Sequence, residues 1–220
     1  LMTIPEGFQP GSEVANTAIL GYDLNDVYEG RGPLEAASIG YEMLPEDMAM
    51  RCNIITLQDG RIITHNGGNL STEDGDILVK YLDEHLGNDA VQFITGIQYR
   101  HLLIIRRGSK HVECAPPHDY PSHEWRPLLV KSEAGWEGVR EPIVDFDGNP
   151  TGEMRMTGQE TADLLNDLIL RSQQLLTEHP YNVGKATANE RQANSIWPWG
   201  GGYRPKMKTI IQRYPQVKSG

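Results

Sequence analysis

The stretch TGQETADLLNDLILRSQQLLTEHP, residues 157–180, carries the strongest local structural signal in this chain. Thr157 is suited to a helix N-cap, and Glu160 three residues later completes a capping box. An apolar stripe at helical spacing follows, and His179-Pro180 ends it. The chain therefore contains one long amphipathic helix near its C-terminal end, and the other elements must form the layer on which that helix packs.

The sequence also predicts strands on both sides of a second helix and one strand after the long helix. MAMRCNIITLQDGRIITHNGG predicts a hairpin with an Asp-Gly turn, and AVQFITGIQYRHLLIIRRG predicts two strands broken near Gly96. Between them, STEDGDILVKYLDEHLG predicts a helix capped by Ser71 or Thr72. NSIWPWGGGYRP predicts a last strand, which Pro198 assigns to an edge or a bulge.

The order of these elements over residues 48–199 is β-α-β-β-α-β. This order is typical of an α+β, ferredoxin-like fold, in which an antiparallel sheet carries two helices on one face. Residues 115–157 are rich in Pro, Gly and charge and form a long excursion, with a small hairpin predicted around VDFDGNPTGEM. Short helices are predicted at about residues 13–20 and after Pro33.

Charge limits the class of partner. The chain has 220 residues and a formal net charge of −10. This balance argues against a general surface for nucleic acid or anionic membranes, although it allows a local cationic pocket. We therefore expect a small-molecule partner, with no nucleic acid and no membrane.

The cysteines indicate the compartment. Cys52 and Cys114 lie far apart, with no second cysteine at metal or redox spacing, which is typical of buried thiols in a reduced, cytoplasmic protein. A single disulfide between them is the alternative. No apolar run is long enough to span a bilayer, and no signal peptide opens the chain. The first residue is Leu and the ending YPQVKSG has no capping pattern, so we expect a piece of a longer protein.

Ser12 stands in PGSEVANTAILGYD, after a Pro-Gly turn and at the start of a short apolar helix. The capping rules account for it, because Ser is a good N-cap, Glu13 suits the positive end of the helix dipole and Gly21 suits the stop. A hydroxyl at a helix N-terminus also lies where backbone N–H groups can receive a phosphate. A helix cap and a phosphoryl acceptor are therefore both open for Ser12.

Two arginines could bind an anion. Arg31 follows a glycine turn and could equally be solvated. Arg51 interrupts an apolar strand, where a guanidinium needs a partner, a ligand or an edge position. We expect Arg51 to lie near Arg100 or His101 on a concave surface, because a phosphoester needs convergent donors.

Two further pairs carry polar chemistry. Arg100 and His101 alternate on opposite faces of a strand, so at most one of them faces a given cleft, and a packed histidine is the alternative for His101. His118 and Asp119 follow a Pro-Pro corner, where they either present a ligand or form a turn. No pair of these residues has the spacing of a preformed metal site.

Taken in order, seven segments resemble one family. They are PGSEVANTAILGYD, YEGRGPLEAASIG, MAMRCNIITL, YRHLLII, CAPPHD, EHPYN and ANSIWPWGGGYRP. They resemble the archaeal-type, cofactor-independent phosphoglycerate mutases of the alkaline phosphatase superfamily, over nearly the whole chain. The ending SIWPWGGGYRPKM is closer to a bacterial subgroup described as proposed homoserine kinases.

The resemblance implies a metal-dependent phosphotransferase of glycolysis that converts 3-phosphoglycerate to 2-phosphoglycerate through a phosphoserine. A homoserine kinase-like phosphotransferase and a non-catalytic cap domain are the alternatives. On the same basis, Ser12 takes up the phosphoryl group between two divalent metal ions, Mn, Zn or Mg. The residues that would line the substrate site are Asn16, Arg31, Arg51, Arg100, His101, His118 and Asp119.

The family pattern also implies parts that this chain lacks. The other metal ligands are expected before residue 1 and after residue 220, so we expect the chain alone to bind no metal tightly and to be inactive. Where the family commonly has a Gly-His before its Ser-Thr-Glu motif, this chain has Asn69, which leaves the role of that position open.

The resemblance divides the chain into three segments. Residues 1–45 would be part of an α/β catalytic core that carries the nucleophile, residues 46–200 an inserted α+β cap domain that binds substrate, and residues 201–220 the start of the return to the core. Such a cap closes over the site and excludes water. The expected partner is a small phosphorylated metabolite.

Overall fold

The structure is a computed structural model, which describes residues 12–19 and 21–205. It divides into two compact units, Leu1–Glu29 with Pro205–Gly220, and Gly30–Arg204. Most of the expected return segment, residues 201–220, lies outside the described residues. The assignment of segments to a catalytic core and a cap stays a prediction.

The described part of the smaller unit contains two short helices, α1 (Ser12–Ile19) and α2 (Leu24–Val27). Gly21 follows α1 with a φ of 79° and its N–H donates to the carbonyl of Ala18 at 2.9 Å. This left-handed residue ends the helix, as its sequence position predicts.

The larger unit contains the remaining elements. Its helices are α3 (Arg31–Ser38), α4 (Thr72–Leu86), α5 (Gly158–Glu178) and α6 (Pro180–Thr187). Its strands are β1 (Asp47–Gln58), β2 (Arg61–Thr64), β3 (Val91–Ile97), β4 (Arg100–Arg106), β5 (Val112–Glu113), β6 (Lys131–Ser132), β7 (Pro142–Val144), β8 (Pro150–Met154) and β9 (Ser195–Gly202). The pairs β5–β6 and β7–β8 form small separate sheets, and β7–β8 is the hairpin predicted in the excursion.

The main sheet has five strands. Strands β9, β1, β4 and β3 lie side by side in that order, with every neighbouring pair antiparallel, and β2 pairs with the end of β1. This arrangement confirms the predicted antiparallel α+β sheet. Asp59 and Gly60, both with positive φ, form the predicted tight turn between β1 and β2.

One prediction within the sheet is wrong by two residues. The break between β3 and β4 lies at Gln98 and Tyr99, whereas Gly96 stays inside β3. A Cβ at Gly96 would overlap the carbonyl oxygen of Arg100, so this glycine permits a close backbone approach rather than a turn.

Helices α4 and α5 cover one face of the sheet. Leu78 and Leu82 of α4 and Leu165 and Ile169 of α5 belong to the same buried cluster as the β1 residue Met50. Each helix begins at a side-chain cap, which is the reason both start where the sequence predicts. Ser71, not Thr72, caps α4, and Thr157 with Glu160 forms the complete capping box of α5.

Helix α3 packs on the opposite face of the sheet. Its Ala36 is buried with Ala49, Leu102 and Ile104 of β1 and β4 in a separate cluster. The approach is close because Gly32 faces the β1 backbone, where a Cβ would overlap the carbonyl oxygen of Ala49. A Cβ added at Gly30 would lie 2.6 Å from the carbonyl oxygen of Gly201. A Cβ added at Gly200, which has a φ of +64°, would lie 2.7 Å from the Cβ of Arg31. These glycines fix the start of α3 against β1 and β9.

We expect Gly32→Ala to lower the free energy of unfolding by about 3 kcal/mol, because the added methyl group overlaps rigid backbone instead of a movable side chain. The measurement is urea unfolding followed by circular dichroism. Gly138→Ala is the matched control, since a Cβ there meets nothing within 4 Å, and should change stability by no more than about 0.5 kcal/mol. Equal stability of the two variants would contradict the close approach of α3.

Both cysteines are free thiols, Cys52 buried and Cys114 half-buried, so the alternative of a disulfide between them is wrong. Burial raises the pKa of each thiol to about 12. Among the helices within residues 12–19 and 21–205, none combines the length and the apolar character that crossing a bilayer requires.

Candidate functional site

The site is built around Arg51, near the middle of β1, on the face of the sheet that carries α3. Arg51 is only 6% exposed, and its Nη1 lies 3.3 Å from Oε1 of Glu35 on α3. The same carboxylate oxygen lies 3.5 Å from Nε of Arg31, one helical turn earlier. Glu35 therefore pairs with two guanidinium groups. The close glycine contacts at the start of α3 bring Arg31 and Glu35 to the strand that carries Arg51.

Arg100 joins this pair from the start of β4. Asn53 is its register partner on β1, so Arg51, Asn53 and Arg100 share one face of the sheet. Burial lowers the pKa of Arg51, Glu35 opposes that change, and the positive charges of Arg31 and Arg100 lower the pKa further. Within the part of the chain that the structure describes, no carboxylate lies within 4.0 Å of the Arg100 guanidinium.

Aromatic rings border the cationic residues. The ring of Trp199 on β9 lies 5.2 Å from Cζ of Arg51, within the range of a cation–π contact. Its Nε1–H donates to Oδ1 of Asn53 at 3.2 Å. His118, in the 3₁₀ turn Pro117–Asp119, packs its ring edge-on against Trp199 with centroids 5.2 Å apart.

A cavity of about 260 Å³ opens beside Arg100. Glu35 and Ser38 of α3 form one wall, and Ile97, Arg100 and Leu102 of β3 and β4 form another. Arg100 therefore lines this cavity directly, and Arg31 and Arg51 are linked to it through Glu35.

His101 does not join Arg51 and Arg100. Its ring lies under α4, where a Cβ at Gly75 would come within 3.1 Å of Cε1, and the residue is 3% exposed. Its Nδ1 accepts a hydrogen bond from the Gly96 N–H at 3.2 Å. Burial lowers the pKa of His101 to about 4. His101 is the packed histidine of the alternative interpretation, because adjacent strand residues point to opposite faces.

The remaining candidates are more exposed. His118 and Asp119 are both solvent-accessible, with His118 Nε2 3.6 Å from Asp119 Oδ1. Asn16 lies exposed on α1 in the smaller unit. Ser12 begins α1, and its side chain lies outside the described residues.

Sequence reasoning missed several side chains that complete the site. They are Glu35, Asn53, His65, Tyr99 and Trp199. Tyr99 and Trp199 lie within recognised motifs, YRHLL and WPWGGG. Asn53 follows Arg51 by two positions on β1, so strand alternation alone would have placed it on the same face. Glu35 and His65 reach the site only through the packing of α3 and β2.

The described residues do not form a metal site. Among residues 12–19 and 21–205, no group of three or more His, Cys, Asp or Glu side chains is placed to hold a metal ion. Two divalent ions need several such ligands, so the metal pair that the resemblance implies does not fit this part of the chain.

Comparison with known proteins identifies the family. Residues 1–182 match the family described as 2,3-bisphosphoglycerate-independent phosphoglycerate mutase. A protein of that name from Methanosarcina barkeri is 38% identical over 216 residues, covering 98% of this chain and 48% of that protein. The protein of that name from Methanosarcina acetivorans is 37% identical over 213 residues, covering 96% of this chain and 47% of that protein.

A solved structure supports the fold. The cofactor-independent phosphoglycerate mutase from Thermoplasma acidophilum is 19% identical, with a TM-score of 0.62 over 94% of this chain and 50% of that one. This chain spans about half the length of the curated relatives it matches. On the family match and the sequence identity together, the chain belongs to the 2,3-bisphosphoglycerate-independent phosphoglycerate mutase family.

Proposed function

We propose that the full-length protein interconverts 3-phosphoglycerate and 2-phosphoglycerate, and that this chain supplies the nucleophile Ser12 and most of the substrate-binding surface. The observation that carries the proposal is that Arg51 and Arg100 share one face of the sheet, with Arg31 on the helix packed against that face, in a chain whose net charge is −10. A local cluster of positive charge in an acidic protein suits a small anion such as a phosphoglycerate.

Each arginine has a defined task in this proposal. Arg51 and Arg100 bind the phosphate or the carboxylate of the substrate, since guanidinium groups pair with both in a bidentate manner. Glu35 orients Arg51 and Arg31, which removes the cost of ordering two long side chains when substrate binds. Low exposure of Arg51 strengthens its interaction with a bound anion.

The covalent step falls to Ser12. Its Oγ forms a bond to phosphorus while the bond from phosphorus to the first substrate oxygen breaks, and the serine proton passes to that oxygen. The neighbouring substrate hydroxyl then forms a bond to phosphorus, the Oγ–P bond breaks, and the hydroxyl proton returns to Ser12. Residues 46–200 act as the cap that excludes water, so that the phosphoserine is not hydrolysed. The metal ions of the family would be held by residues outside the described part of this chain. A reduced, cytoplasmic setting accords with the free thiols of Cys52 and Cys114.

The test is an assay of the full-length protein with 3-phosphoglycerate, and in parallel with homoserine and ATP. We expect 2-phosphoglycerate to form in the first assay and no phosphohomoserine in the second. The reverse result would favour the homoserine alternative, and no product in either assay, with metal supplied, would favour a non-catalytic cap.

We further expect the 220-residue chain alone to give no turnover and no stoichiometric binding of Mn²⁺ or Zn²⁺ by calorimetry. The reason is the lack of a ligand group within residues 12–19 and 21–205. Tight binding of two metal ions by this chain would mean that the active site has been assigned to the wrong residues.

A further inference from the structure

Two imidazoles lie beside the arginine cluster. His65 directly follows β2, and its ring contacts that of His118 edge-on, with centroids 6.2 Å apart. The ring of Tyr99 also contacts the ring of His65, with centroids 5.6 Å apart. Asn53 donates a hydrogen bond to the backbone carbonyl of His65 at 3.1 Å, which holds the chain after β2 against β1. In the part of the chain that the structure describes, no hydrogen bond engages a ring nitrogen of His65.

The charges around His65 are mainly positive. Arg51 faces it from β1 and His118 from the 3₁₀ turn, and burial, His118 and Arg51, in that order, lower the pKa of His65. Arg100 also lies near Tyr99, with its Cζ 6.0 Å from the centre of that ring. The nearby carboxylates are already engaged, Glu35 with Arg51 and Arg31, and Asp119 with His118.

This arrangement disfavours a proton on His65 until an anion arrives. An anion bound against Arg51 would offset the repulsion between cations and would offer an acceptor to an imidazolium N–H. His65 is half-buried and its ring packs against the rings of Tyr99 and His118, which limits the side-chain entropy that anion binding would cost.

We propose that His65 takes up a proton when a multiply charged anionic substrate binds at the arginine cluster, which makes His65 a further binding residue of this site. The identity of the substrate as a phosphoglycerate rests on the proposed function, whereas the proton uptake requires only an anion. By reciprocity, whatever raises the proton affinity of His65 on binding makes substrate affinity depend on pH.

The sign of the pH effect follows from the direction of proton movement. At low pH His65 is already protonated in the free protein, and affinity does not change with pH. Between the pKa of His65 in the free protein and its higher pKa in the complex, the dissociation constant rises about tenfold per pH unit, because binding takes up one proton.

The test is calorimetry on full-length protein carrying Ser12→Ala, which binds without turnover, in two buffers of different ionisation enthalpy. The probes are 3-phosphoglycerate at about pH 8, where a phosphate monoester is already a dianion, and sulfate, which does not titrate there. We expect a binding enthalpy that differs between the two buffers in the parent protein, which reports net proton uptake, and the same enthalpy in both buffers after His65→Asn.

His85→Asn is the matched control, because His85 lies exposed on α4, on the other face of the sheet. The proton uptake of this variant on anion binding should equal that of the parent protein. Binding of either anion to the parent protein with the same enthalpy in both buffers would overturn the inference, as would proton uptake that persists after His65→Asn or failure of both anions to bind. If sulfate binds with proton uptake and 3-phosphoglycerate does not bind, the proposed function fails and the proton-linked anion site stands.

Discussion

Replacing Ser12 with Ala in the full-length protein is expected to lower phosphoryl transfer from 3-phosphoglycerate by at least about 10⁴-fold. A covalent nucleophile has no substitute within the same reaction path, so its loss leaves only binding and positioning. Ser12 begins α1, where the unpaired N–H groups of the first helical turn favour a phosphate. The measurements are kcat/KM in a coupled assay and detection of phosphoserine by mass spectrometry after brief mixing with substrate.

The matched control is Thr187→Ala, which removes an exposed hydroxyl at the end of α6 and should change activity by less than about twofold. Circular dichroism of both variants tests whether the fold is intact. A folded Ser12→Ala protein that retains a few per cent of the parent rate would assign the nucleophile elsewhere and leave Ser12 as a helix cap.

Most of the secondary structure was accessible from sequence because its signals are local. The capping box at Thr157 and the Asp59-Gly60 turn each depend on residues within a few positions of one another. The break after β3 was misplaced because Gly96 resembles a turn residue, whereas its role, a close approach to the Arg100 carbonyl, arises only when two strands pair.

The candidate site was only partly predictable. Strand alternation correctly assigns Arg100 and His101 to opposite faces of the sheet, but it does not say which of them faces α4 and which faces α3. That choice follows from burial, since β4 is covered by α4 on the face that holds His101 and the imidazole can be buried neutral, whereas a guanidinium cannot.

Glu35 and His65 could not be found from sequence spacing. Glu35 meets Arg51 only because Gly32 lets α3 lie directly on the β1 backbone. His65 meets His118 across a sequence separation that no local pattern describes. The parts of the site that depend on contact between distant segments are those that the sequence left open.

Arg51→Met is expected to lower kcat/KM for 3-phosphoglycerate by about 100- to 1,000-fold, with most of the loss in KM. Methionine keeps much of the apolar contact along β1 but removes the charge-assisted hydrogen bonds to the substrate, each of which contributes about 1.5–3 kcal/mol. Steady-state kinetics with both directions of the reaction would measure the change. Arg171→Met, which removes an exposed guanidinium paired with Asp167 on α5, should leave the kinetics within about twofold of the parent.

A conservative variant separates binding from folding. Arg51→Lys keeps the positive charge beside Glu35 but loses the planar fork that matches a phosphate, so we expect a rate between those of the parent and of Arg51→Met. If Arg51 served only to neutralise Glu35, lysine would restore full activity and methionine would lower stability more than substrate affinity. If Arg51 binds the substrate, thermal unfolding of both variants changes little, whereas KM rises in the order Arg, Lys, Met.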